Sequence, residues 1–342
     1  MALATERDLE ELRAGLVRWL GARRATDVVV TGIERPSVGH SSETLLVDYE
    51  WRADGETDTD HVVVRLPPAS GGTFPDFDLT AQAAAQAAAG TAGVAVAEPT
   101  TVEPDARWLG APFMTMPRVE GHIIGPSSPH DPWLAALGAR DQARLHDGFI
   151  ATLGAIHRAD ADRARRDGVA VRDLAAELDY WDDYLTWSSP GAPVETLVLA
   201  TDWCRDHRPA TDPPPCLLWG DARLGNVIFA DDLTPAAVLD WDMASIGAPE
   251  HDLAWFLTLE ATVEHVTGAR VAGFPGRAET IESYERDLGR PVRDFEWFET
   301  FAQLRATAIM TRIGYLHAAV GGTGLVPIAD NPVLDLLRER LR

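Results

Sequence analysis

A chain of 342 residues with 46% apolar side chains has enough material for two compact units with a substantial core. Its formal net charge of −23 speaks against a nucleic-acid partner, whose phosphates need clustered cations. No stretch has the apolar length of a bilayer span, and Cys204 and Cys216 fit a reducing compartment better than a disulfide framework, so a cytoplasmic location is expected.

Leu9, Leu12, Leu16 and Leu20 recur at helical spacing behind an acidic start, which predicts an amphipathic helix packed on the body rather than a signal peptide. Residues 27–35, 43–52 and 60–66 alternate or run apolar as antiparallel strands do, with turns around 38–42 and 54–56. A Pro/Gly-rich link (67–75) leads to an alanine-rich helix (79–89), and strands follow at 100–103 and 112–116. Residues 121–132, rich in Gly, Pro and Ser, mark a change of character. Helices are expected beyond it at 140–159, 173–187 and 195–207. The second of these carries carboxylates and aromatics at 177–184, and an amphipathic helix with a solvated acidic face accounts for them. Short apolar runs at 215–219, 227–229 and 236–239 read as buried strands. Helices follow near 250–260, 277–288, 294–319 and 332–341. The pattern is α+β, with a small β-rich lobe at 1–117 and a larger, mostly helical lobe at 118–342.

The polar residues between those short strands carry the chemistry. Leu218-Trp219-Gly220-Asp221-Ala222-Arg223-Leu224-Gly225-Asn226 is followed by Leu239-Asp240-Trp241-Asp242. Asp221 can orient a hydroxyl and accept its proton. Asn226 and Asp240 offer hard oxygens to Mg²⁺ beside a nucleoside triphosphate, and Asp242 supports that shell or holds the loop. Plain turns, which Asp and Asn commonly form, are the alternative for any one of these residues. The chain contains no lysine, all 30 of its basic residues being arginine. A Walker A loop is therefore excluded, and arginine must grip any phosphate. His146, His157, His251 and His265 lack the Cys/His spacing of a zinc site.

These motifs resemble the aminoglycoside phosphotransferase/choline kinase superfamily, relatives of the protein kinases. Trp219-Gly220-Asp221 through Asn226, then Asp240-Trp241-Asp242, then Gly247-Ala248-Pro249 leading to Asp252-Leu253-Ala254, occur in that family's order. The likeness is greatest to the branch related to the kinase-like domain of some acyl-CoA dehydrogenases. It implies a protein-kinase-like two-lobed fold with a small antiparallel-sheet N-lobe that binds nucleotide. It also implies transfer of the γ-phosphate of ATP, with GTP open, to a small-molecule hydroxyl with Mg²⁺. An aminoglycoside-like antibiotic or a hydroxyacyl metabolite would serve as acceptor. Neither nucleic acid nor membrane is an expected partner, and a homodimer stays open.

The resemblance also places the first lobe's residues. Ser41 and Ser42 take the position of the loop over the phosphates, and Arg65 that of the usual lysine at the end of its strand. Gln82 stands for the glutamate that pairs with that lysine, accepting a hydrogen bond without forming an ion pair. Backbone groups near Met116 and Arg118 fall at the hinge that meets the base. Arg223 adds a contact to phosphate or to Asp221, and Asp252 braces the catalytic loop. Gly39-His40-Ser41-Ser42 lacks the closing glycine and following helix of a serine-hydrolase elbow. Arg65, Gln82 and Trp219, the last in place of a histidine, depart from the family's pattern. An inactive nucleotide-binding module is therefore the rival reading.

Overall fold

The computed structural model describes residues 7–36, 42–53, 55–69, 71–191, 193–319 and 332–342. The chain divides into two compact units, Met1–Ala83 with Ala97–Arg118, and Ala84–Val96 with Val119–Arg342. It is a mixed α and β protein with an antiparallel sheet in its N-terminal part and a helical C-terminal part.

The first unit begins with α1 (Leu9–Arg24), whose N-cap Asp8 accepts from the backbone N–H groups of Glu10 and Glu11. Strands β1 (Val28–Glu34), β2 (Glu43–Ala53) and β3 (Glu56–Leu66) follow. Then come α2 (Leu79–Thr91), which passes into the second unit at residue 84, β4 (Thr101–Glu103) and β5 (Phe113–Pro117). The five strands pair antiparallel in the order β1-β2-β3-β5-β4. Alternation along β2 buries Leu45, Val47 and Tyr49 on one face, where Leu12, Leu16, Trp19 and Leu20 of α1 cover them with Val64, Leu66 and Phe113. Trp19 meets Phe113 edge-on at 5.0 Å and donates to Glu103 at 2.9 Å, so its polar atom is satisfied. Truncating the fully buried Leu16 to alanine would cost about 2–5 kcal/mol.

The second unit contains β6 (His122–Ile123), α3 (Pro132–Ala136), α4 (Ala139–His157), α5 (Ala161–Arg166), α6 (Leu174–Ser188) and α7 (Glu195–Asp206). After these come β7 (Cys216–Leu218), β8 (Val227–Phe229), β9 (Pro235–Val238), β10 (Ser245–Gly247), α8 (Glu250–Thr267), α9 (Arg277–Leu288), α10 (Phe295–Ala319) and α11 (Pro332–Arg340). β7 pairs with β10, and β8 lies between β6 and β9. The first half of α8 is buried from Glu250 to Phe256, and α10 packs along it. These elements put the polar loop between β7 and β8 directly above a buried helix end. The solvated acidic face of α6 holds for Asp179 and Asp183, while Glu177 turns into the interior. No helix among the described residues is long and apolar enough to cross a membrane.

Candidate active site

The loop from β7 to β8 turns at Gly220, whose φ of +89° suits glycine. A Cβ there would overlap the Met243 carbonyl oxygen, so only glycine lets this loop rest on the turn at 241–244. Beneath it the fully buried Asp252 accepts from the backbone N–H of Trp219 at 2.8 Å and of Gly220 at 2.9 Å. His157 Nε2 lies 3.0 Å from the same carboxylate, and His157 Nδ1 lies 2.6 Å from the Tyr284 hydroxyl. Burial alone would raise the Asp252 carboxyl, but His157 and the two amides outweigh it and hold it below its ordinary value. Asp252 is thus the brace of the loop. Trp219, in place of the family's histidine, donates its indole N–H to the Leu239 carbonyl at 2.8 Å, and its ring packs near Phe149 and Trp241.

Asp221 is held by three side-chain donors. Trp255 Nε1 donates to Oδ1 at 2.8 Å, while Asn226 Nδ2 at 2.7 Å and Arg223 Nε at 3.1 Å both donate to Oδ2. Asn226, buried, also donates to the Asp221 carbonyl at 3.1 Å, which closes the loop on itself. The Leu239 N–H donates to the Asn226 carbonyl at 2.8 Å, which ties the start of β8 to the residue before Asp240. Asp240 itself adopts the left-handed conformation, φ +59°, uncommon outside glycine and tolerated best by Asn and Asp. Burial works against the charge of Arg223, but Asp221 and Asp240 together hold it above its ordinary value. Asp221, Arg223, Asn226 and Asp240 therefore share one cluster. Asp242 follows in the turn whose Met243 meets Gly220.

In the first unit Arg65 is the next-to-last residue of β3, opposite Thr44 and Met114, and is buried. Its Nε and Nη2 donate to the Ser42 hydroxyl at 3.3 and 3.1 Å. Ser41 lies outside the described residues. Gln82 is buried on α2, and its Oε1 accepts no hydrogen bond among the described residues, so the bond from Arg65 that the resemblance implies is not made. Met116 is buried on β5 opposite Val63, and the Arg118 N–H donates to the His61 carbonyl at 3.1 Å.

Sequence reasoning passed over Trp255, Tyr284 and Arg305. Trp255 carried a usable signal, since it stands three residues after Asp252 in a helix and so shares its face.

The fold is that of the protein-kinase-like phosphotransferases. Residues 32–298 match the phosphotransferase enzyme family, and the chain belongs to that family. It is similar to acyl-CoA dehydrogenase family member 11 of Mus musculus, 24% identical over 251 residues that make up 72% of this chain and 30% of that protein. The chain thus spans less than a third of the length of that relative. Among solved structures, a candidate aminoglycoside phosphotransferase from Ralstonia eutropha JMP134 superposes with a TM-score of 0.66 at 19% identity, over 98% of this chain and 96% of that one. The GDP complex of aminoglycoside 2′-phosphotransferase-IIIa gives a TM-score of 0.55 at 15% identity, over 98% of this chain and 97% of that one.

Proposed function

We propose that this chain transfers the γ-phosphate of ATP or GTP to a hydroxyl of a small molecule, the first unit binding nucleotide and the second carrying catalysis and the acceptor. The observation that carries the reading is Asp221, fixed by three donors above a buried brace, with Asn226, Arg223 and Asp240 beside it. Each carboxylate oxygen has room for about two accepted bonds. Oδ2 already takes two and Oδ1 one, so Oδ1 is the oxygen that receives the acceptor's hydroxyl proton.

The donor set fits Mg²⁺. Asn226 uses its amide nitrogen within the loop, which leaves its oxygen for a cation, and Asp240 adds a carboxylate, with Asp242 close behind. Among the described residues no three His, Cys, Asp or Glu side chains gather as a metal cage. Mg²⁺ asks for no such cage, since one or two carboxylates suffice when phosphates and water complete its shell. The ion, when bound, would neutralise charge on the β- and γ-phosphates. Within the second unit Arg223 would contact phosphate oxygens, and in the first unit Arg65 and Ser42, with Ser41, are the residues proposed to bind phosphate. A base edge approaching residue 118 would use its carbonyl, because the N–H is engaged by His61.

The acceptor is an aminoglycoside-like antibiotic or a hydroxyacyl metabolite. The second is supported by similarity to acyl-CoA dehydrogenase family member 11, the first by the structural neighbours and by the net charge of −23. Release of ADP or GDP from the Mg²⁺ nucleotide, measured against kanamycin, erythromycin and hydroxyacyl-CoA compounds, tests the reading. Stimulation by one acceptor and its loss in Asp221→Asn are expected. Nucleotide binding with no turnover by any acceptor would favour an inactive nucleotide-binding module instead, as the unpartnered Gln82 Oε1 would allow.

A further inference from the structure

Arg305, in the middle of α10, is 3% exposed. Its guanidinium carbon lies 5.0 Å from the ring centre of Trp181 and 4.9 Å from that of Trp255. Nη2 reaches the Gly220 carbonyl at 3.5 Å, and Nε has no hydrogen-bond partner among the described residues. Burial pulls the guanidinium down, and the buried Glu177 is the strongest charge acting to sustain it. Glu177 is in turn held by Trp181 Nε1 at 3.0 Å and by Arg172 at 3.5 Å.

The one long hydrogen bond that Arg305 makes among the described residues contributes little to stability, while its charge offsets that of the buried Glu177. Arg305 also contacts two of the groups that set the pose of Asp221. One is the carbonyl of Gly220, immediately before it. The other is the indole of Trp255, whose N–H sits on Asp221 Oδ1. Rotating that indole would move its N–H, and Oδ1 would turn away from the acceptor.

We infer that Arg305 is a positioning residue for Asp221, acting through the Trp255 indole and the Gly220 carbonyl, so that Oδ1 keeps one lone pair aimed at the acceptor. Glu177 and Trp181 hold the guanidinium in place. The inference rests on the reading of Asp221 as the base, and it deepens that reading with residues outside the three motifs. A tilted base slows the chemical step while leaving nucleotide binding alone.

The test compares Trp255→Phe, Arg305→Met, Arg305→Lys and Asp221→Asn by two independent readouts. The first is the indole ¹H–¹⁵N spectrum, in which the Trp255 signal is identified by its loss in Trp255→Phe. That signal is expected to shift in Asp221→Asn and in Arg305→Met, and to shift less in Arg305→Lys, which keeps a cation over the ring. The second is Mg-ATP and Mg-GTP hydrolysis to water. Trp255→Phe and Arg305→Met should lower kcat by up to about 10²-fold with KM for nucleotide within about twofold, and Arg305→Lys should recover most of the loss. Arg305→Met alone takes the main counter-charge from the buried Glu177 and is expected to melt lower. Turnover is therefore also read in Arg305→Met/Glu177→Gln, which removes both charges, should melt near the parent and should show the same loss of kcat. A Trp255 signal indifferent to both Asp221→Asn and Arg305→Met overturns the inference whatever the turnover. Parental kcat in Arg305→Met, with Asp221→Asn inactive, overturns it as well. Full turnover in Asp221→Asn overturns the phosphotransfer reading instead.

Discussion

In the first unit Arg65 donates from Nε and Nη2 to the Ser42 hydroxyl, and the Gln82 Oε1 accepts no hydrogen bond among the described residues. In the second unit Asp221 is met by three donors, and the loop that carries it is pinned by Asp252 through two backbone amides. Under the proposed roles, the difference follows from what each group must do. A polyanion is satisfied by any cation of sufficient reach, because the attraction has little angular preference. A base must present one lone pair to one proton, so a small tilt removes its effect. The departures from the family's pattern accordingly fall where geometry is least demanding, with arginine for lysine and glutamine for glutamate. Tryptophan for histidine at 219 is the exception, and there the indole N–H donates to the Leu239 carbonyl.

That contrast can be broken by experiment. Asp221→Asn should lower kcat by about 10²–10⁴-fold while Mg-ATP or Mg-GTP still raises the melting temperature. Arg65→Ala should do the reverse, raising KM for nucleotide by about tenfold with a smaller change in kcat, and Arg65→Lys should restore most of it. A kcat-only defect in Arg65→Ala would undo the division between the units. Asp252→Asn sets an NH₂ group against one of the two backbone N–H donors, which bond different carboxylate oxygens, and should cost about 1–3 kcal/mol in denaturant unfolding, along with activity.

The smallest effect is expected at Glu260, eight residues along the same helix. Burial pushes its carboxyl from 4.5 up to about 7, against the opposing effects of the Ser128 hydroxyl, 3.4 Å away, and the Arg270 charge. The folded protein keeps this proton where the unfolded chain has released it. Its contribution is therefore full below pH 4.5 and is lost as pH rises through about 7. Glu260→Gln should gain melting temperature over the parent between pH 5 and pH 8, a trend with the opposite sign to that of Asp252. Two carboxyl groups on one helix, Asp252 fully buried and Glu260 partly so, are thus shifted in opposite directions, since the first is fully hydrogen-bonded and the second is not.

Much of this site was legible in the sequence because its centre is local. Asp221, Arg223 and Asn226 lie within six positions of one another, and Asp240 ends the next strand, so spacing alone gathers them. Arg65 was legible from its place near a strand's end. The residues that support the centre were not. Trp255 reaches Asp221 across 34 positions, Arg305 reaches Gly220 across 85, and Tyr284 reaches His157 across 127. Such contacts are set by how α8, α9 and α10 pack, which no short pattern encodes. The two-residue β6 and three-residue β10 escaped for another reason, being too short to show a period. β6 also lies inside the Gly- and Pro-rich run that reads as a link.

The left-handed backbone of Asp240 acts as a filter on residue type. Glycine, asparagine and aspartate pass it readily, and of these only the last two bring a side-chain oxygen. Evolutionary drift at this position therefore has a single open corridor, from aspartate to asparagine. For an engineer the same filter separates two questions usually confounded. Asp240→Asn removes charge without twisting the chain, whereas Asp240→Glu keeps the charge and strains the fold.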